Sequence, residues 1–186
     1  MKSLILFDTE YTAWKGSQER NWSNENEHRE IIQISAYKIQ NYKVIDTLNI
    51  YVKPNINKKL SKYITNLTGI TNNKINKYGL SFKKAIETFY NFSKFYNLYS
   101  YGNDWKVLKE NLDLNNIKEP KWHNFKNKCF DFKKYIKKHT NINPNKYSSG
   151  TIYKAFNIKN NIHTHNALDD VKSMYLVFLK INDKDF

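Results

Sequence analysis

Residues 3–10 read Ser-Leu-Ile-Leu-Phe-Asp-Thr-Glu, and the reading of that run decides the fold. Ser3 to Phe7 is apolar after its first residue and shows no alternation, the pattern of a strand buried on both faces. Two acids then interrupt it. Asp8 and Glu10 flank Thr9, and residues two apart on an extended chain point to the same side. Two carboxylates on one face repel unless something positive lies between them, and a divalent cation meets that need because hard cations prefer carboxylate oxygens.

Outward from this run the chain is polar from Trp14 to His28, then apolar and partly alternating from Ile31 to Ile39. Asn41-Tyr42 can turn it into a further strand, Val44 to Val52, which Pro54 and Asn55 end. The period then becomes 3.6. Ser81 is placed to cap a helix with Phe82, Ala85, Ile86, Phe89, Phe92 and Phe95 on its inward stripe. A short strand is expected over 97–101, a helix near Asp104 carrying Val107, Leu108 and Leu112, and a strand over 125–130. A Lys-rich helix follows from Phe132 to Lys138; its bland reading is a solvated face, its functional one a track for a phosphate backbone. Ser148 or Ser149 is expected to cap a helix through Ala155, and the final helix starts near Ala167 with Val171, Met174, Phe178 and Leu179 inward. No repeat or linker divides the chain, so residues 1–186 read as one α/β domain with a mixed sheet.

Three acids resist the ordinary explanation of solvation once they are taken together. Asp104 follows Tyr101-Gly102-Asn103 and opens a helix, where capping alone accounts for an Asp. Asp169 and Asp170 open the final helix, and His165 precedes Asp170 by five residues. With nine Asp, eight Glu and five His in the sequence, an Asp-x-Glu arises by chance about 0.4 times and a His-x4-Asp about 0.2 times. Both together, one ending a buried strand and the other opening the last helix, are a far rarer coincidence.

Charge points the same way. Lys and Arg number 31 against 17 Asp and Glu, a net charge of +14, which suits a polyanionic partner. Only Arg20 and Arg29 are arginines, so AT-rich coding contributes lysines, but such coding enriches acids as well and does not account for the imbalance. A single cysteine, Cys129, excludes a disulfide framework or a multi-cysteine metal site. No apolar run approaches the ~18 residues of a membrane span, and Leu4 to Phe7 is too short for a signal-peptide core; a cytoplasmic protein without a membrane partner is expected.

Asp8-Thr9-Glu10, Asp104 in Tyr-Gly-Asn-Asp-Trp, and His165-Asn166-Ala167-Leu168-Asp169-Asp170 together resemble the DEDDh (DnaQ-like) 3′–5′ exonuclease superfamily across nearly the whole chain. Glu27-His28-Arg29-Glu30-Ile31-Ile32 and Leu67-Thr68-Gly69-Ile70-Thr71 look like its RNA-trimming branch. Some members of that branch write Gly-x-Trp-Asp where this chain has Gly102-Asn103-Asp104-Trp105, with Asp113 as a distant substitute. The resemblance implies an RNase H-like five-stranded mixed sheet with one antiparallel strand, flanked by helices. It implies that Asp8, Glu10, Asp104 and Asp170 hold two divalent cations, Mg²⁺ or Mn²⁺, and that His165 is the general base. The implied reaction releases nucleoside 5′-monophosphates from the free 3′-hydroxyl of single-stranded nucleic acid, RNA favoured over DNA. Tyr11, Thr12, Trp14, Arg20, Gly69 and Ile70 are the expected substrate contacts, with Trp22 beside them, and homodimers occur among such proteins. The competing readings are a DNA trimmer, a non-catalytic binding module, which would be expected to lack one of the five residues, and an RNase H-type endonuclease, which would not need His165.

Overall fold

The computed structural model describes residues 3–118 and 125–184. Its strands are β1 (Ser3–Tyr11), β2 (Ile31–Gln40), β3 (Lys43–Tyr51), β4 (Leu98–Ser100) and β5 (Cys129–Asp131). Its helices are α1 (Lys62–Thr68), α2 (Asn72–Tyr78), α3 (Phe82–Ser93), α4 (Asp104–Leu114), α5 (Phe132–His139) and α6 (Ala167–Ile181), with 3-10 turns at Pro144–Lys146 and Ile152–Phe156. The sheet runs β3-β2-β1-β4-β5. β2 is antiparallel to both its neighbours while β1, β4 and β5 run parallel, so the sheet has one antiparallel strand. Asn41 and Tyr42 both adopt positive φ, the twist a two-residue hairpin between right-handed strands requires.

β1 lies at the centre and its side chains divide by parity. Ile5 and Phe7 pack on one face with Ala85, Ile86 and Phe89 of α3. Leu4 and Leu6 pack on the other with Val171, Met174 and Phe178 of α6. By the same alternation Asp8 and Glu10 continue the α6 face. A third cluster, around Ile32, Leu60, Ile64, Ile70 and Ile75, seats α1 and α2 beside the β2 end of the sheet.

Three local expectations change. Phe95 lies beyond the end of α3 and is 82% exposed, so the inward stripe stops short of it. The strand expected over 125–130 is only Cys129–Asp131, and Phe125 instead packs beneath Phe89 and Tyr90. The helix expected from Ser148 or Ser149 is the 3-10 turn Ile152–Phe156, closed by Asn157 in the left-handed region. Among the described residues no helix is long and apolar enough to cross a membrane.

Candidate active site

A cleft of about 540 Å³ opens at the C-terminal end of β1, and Asp8, Glu10, Asp104, Asp170 and His165 all line it. Each comes from a different constraint. Asp8 and Glu10 ride on β1. Asp104 is the first residue of α4, carried there by the turn after β4. Asp170 sits in the first turn of α6, whose start is fixed twice. Asn166 caps it by accepting from the Leu168 amide, and Gln33 of β2, fully buried, accepts from the Ala167 amide at 3.2 Å. His165 immediately precedes that cap with φ of +62°, a left-handed conformation that costs a non-glycine residue energy and recurs at functional sites.

Ligand oxygens of Asp8, Glu10 and Asp170 lie within 4.8 Å of one another. These three side chains are 6%, 9% and 4% exposed, so water does little to screen their repulsion. Burial, then the neighbouring carboxylates, pushes Asp8 and Glu10 well above the ordinary carboxylate range. Burial lifts Asp104 to about 7, with Asp170 adding to the shift while the Thr9 backbone and Arg29 oppose it. Asp170 rises to about 6, again chiefly by burial, and is drawn back by the Ser149 hydroxyl and the His165 backbone. Oδ1 of Asp170 and Oδ2 of Asp104 are buried without a hydrogen-bond partner. Buried oxygens left unmatched are costly, and four converging carboxylates with free lone pairs are the donor set a hard divalent cation takes. The residues fit such an ion. His165 is half-buried, and burial with His163 nearby lowers its pKa, keeping the imidazole neutral near pH 7.

The expected substrate contacts separate into two groups. Tyr11 and Trp14 line the cleft, as does Trp22. Thr12 does not: it is buried, its hydroxyl donating to the His28 carbonyl and accepting from the Glu30 amide, so it ties β1 to the strand beside it. Arg20 is spent on Glu27 and the Lys15 carbonyl, closing the loop on itself. Gly69 is the left-handed cap of α1, and Ile70 is fully buried in the third cluster rather than free to wedge a base. The α1 residues that do face the cleft are Tyr63, Ile64 and Leu67. Asp113 pairs with Lys109 on the outside of α4 and has no place in the cleft.

The loop over residues 14–28 is held in position by Arg29, whose guanidinium stacks on Tyr11 and Trp22 and pairs with Glu110. Trp22 donates from its indole to the Thr12 carbonyl. Glu30 anchors the opposite margin by accepting from the amides of Asn55, Ile56 and Asn57.

Sequence reasoning missed Ser149 and Gly150, and offered Lys133 only within a Lys-rich helix that could track a phosphate backbone. Ser149 donates to Asp170 Oδ2 at 2.8 Å. A Cβ at Gly150 would intrude on the same carboxylate. Lys133 reaches the cleft from the start of α5 and stacks over Tyr101. Only the Ser-Ser-Gly run itself hinted at the first two, and it reads equally well as a helix cap.

The profile of the RNase T exonuclease family matches residues 5–178. The chain is similar to the PolC-type DNA polymerase III of Caldanaerobacter subterraneus subsp. tengcongensis, 28% identical over 184 residues, spanning 97% of this chain but 12% of the polymerase. It is 27% identical over 189 residues to the probable 3′–5′ exonuclease KapD of Bacillus subtilis, covering 98% of this chain and 85% of that protein. Among solved structures, the nuclease domain of 3′hExo, a DEDDh family member bound to rAMP, shares the fold with a TM-score of 0.80 at 20% identity, over 98% of this chain and 92% of that one.

Proposed function

The chain belongs to the RNase T exonuclease family as a 3′–5′ exonuclease domain of the DEDDh type, and we propose that it removes nucleoside 5′-monophosphates one at a time from single-stranded nucleic acid with a free 3′-hydroxyl, RNA favoured. The observation that carries this is the convergence of three buried carboxylates and the half-buried Asp104, mutually repelling, beside a neutral histidine in one cleft. DEDDh exonucleases use divalent metals, and this acidic cluster suits them. Asp8, Glu10 and Asp170 would hold the ion, with Asp104 completing a pair of Mg²⁺ or Mn²⁺ sites. Bound there, such ions stabilise charge on the phosphoryl oxygens and make water a stronger nucleophile. His165 accepts the proton of the attacking water, a role its lowered pKa suits at neutral pH. Ser149 orients Asp170. Trp14, Tyr63 and Leu67 offer surfaces on which the terminal base stacks, and Lys133 meets a backbone phosphate.

RNA is favoured on the segments Glu27–Ile32 and Leu67–Thr71. The second reading, a DNA trimmer, rests on the match to a segment of a DNA polymerase. Residues 1–186 would act as one domain in the cytoplasm, and a solution mass measurement distinguishes monomer from homodimer. The deciding experiment incubates RNA and DNA oligonucleotides of one sequence with Mg²⁺ or with EDTA, and includes a 3′-phosphate control. Faster shortening of RNA, by single nucleotides and only with Mg²⁺ and a free 3′ end, is expected. No shortening of either strand in Mg²⁺ or Mn²⁺ refutes the proposal.

A further inference from the structure

A second concavity, of about 590 Å³, lies on the outer edge of β5. Asn103, Trp105, Lys126, Phe130, Lys134 and Lys138 line it, with Tyr99 and Tyr135 forming its floor. Three features set it apart from an ordinary basic surface.

First, its cations are uncommitted. Among the described residues Lys126, Lys134 and Lys138 enter no ion pair, and Lys126 lies over the Trp105 ring at 5.1 Å. The one carboxylate in the lining, Asp131, is engaged by backbone: its Oδ1 accepts from the amides of Gly102 and Lys133. Second, aromatic surface is on offer among those cations. Phe130 is 41% exposed while stacking on Tyr99, and Trp105 is half-buried. Third, neighbouring residues line the concavity and the cleft. Asp104 opens toward the cleft while Asn103 and Trp105 on either side of it line the second concavity, and on α5 Lys133 faces the cleft while Lys134 and Lys138 face outward.

We propose that this concavity is the track for the upstream part of the same polynucleotide whose 3′ end occupies the cleft, as a single strand. The inference rests on the exonuclease reading but concerns a different surface. Lysines alone would serve a duplex equally well, since phosphates line its outside. Aromatic faces between the lysines serve unpaired bases, which stack on them without regard to sequence. Crossing from Lys133 to Lys134 and Lys138 passes a strand from one surface to the other along a single helix.

The test measures binding in EDTA by fluorescence anisotropy, so that catalysis does not enter. Unlabelled 3-mer and 20-mer strands of one sequence compete with a labelled 20-mer. The intact protein is expected to bind the 20-mer far more tightly than the 3-mer. In K134E/K138E that length advantage should fall about tenfold or more, and the slope of log affinity against log salt should shrink by about two. K83E/K84E on exposed α3 makes the same charge change elsewhere and should retain most of the advantage; thermal melts confirm both folds. Equal length advantage in K134E/K138E and the intact protein overturns the proposal, as does equal loss in the two double variants. A preference for a duplex of the same length overturns the single-strand assignment. Loss of length dependence in a protein that shortens nothing would leave the track standing and the exonuclease reading refuted; normal shortening with unchanged length dependence does the reverse.

Discussion

Leu4 and Leu6 lie on the same face of the same strand as Asp8 and Glu10, and all four face α6. The first pair makes a dry contact with Val171, Met174 and Phe178. The second pair meets Asp170 and puts buried like charges together. One strand–helix interface is thus cohesive at one end and self-repelling at the other, and the cohesive end holds the repelling end shut. Strain at a reactive site is commonly sustained in this way by the surrounding packing.

The comparison breaks most sharply at Asp170. Asp170→Asn should lower nucleotide release by about 10³-fold, on the scale of losing one group that stabilises transition-state charge. Because it relieves repulsion, the same change should raise the melting temperature in EDTA. Release rates and melting curves on one preparation check both; a lowered melting temperature with EDTA would show that the carboxylates are not held against their own repulsion. At the cohesive end, Leu6→Ala should cost about 2–5 kcal/mol of stability, read as a denaturant midpoint, while the release rate per folded molecule stays close to that of the intact protein.

Gly150→Ala sharpens the contrast, since it disturbs the acidic end without altering any charge. Its Cβ would displace the Asp170 carboxylate, and a rate loss of about 10–100-fold is expected, as for other groups that orient a metal ligand. A release rate equal to that of the intact protein would remove Gly150 from the site's support. The smallest effect is in pH. Asp104 and Asp170 are raised in the folded chain to about 7 and about 6. Folded protein therefore holds protons that the unfolded chain has already lost, and this contribution is fully present below pH ~4 and fades as pH rises to about 7. In EDTA the melting temperature should fall by a few degrees across that window. Mg²⁺ should flatten the slope, and a slope unaffected by Mg²⁺ or Mn²⁺ would contradict metal binding at these carboxylates.

What the sequence disclosed follows the same division. The parity of residues 4–10 was legible because a strand sends alternate side chains to opposite faces whatever lies beyond. The start of α6 was legible from the helical spacing of Val171, Met174, Phe178 and Leu179, and Asn166 caps it there. Ser149 was not, since a serine before an apolar run satisfies capping rules locally while its partner, Asp170, belongs to a different element. Ile70, expected at the substrate through the resemblance alone, is buried completely by the packing of α1 and α2 against Ile32. Thr12 and Arg20 look like ligand contacts only until their bonds to His28, Glu30 and Glu27 are known.

The single antiparallel strand has a bearing on how the protein comes into being. β1, β2 and β3 meet through a two-residue hairpin and one longer loop, so they can associate while the chain is still short. Asp104 and Asp170 arrive only with α4 and α6, far downstream. A polypeptide still emerging from the ribosome therefore owns half of its acids, and the acidic cluster closes only once synthesis has passed α6.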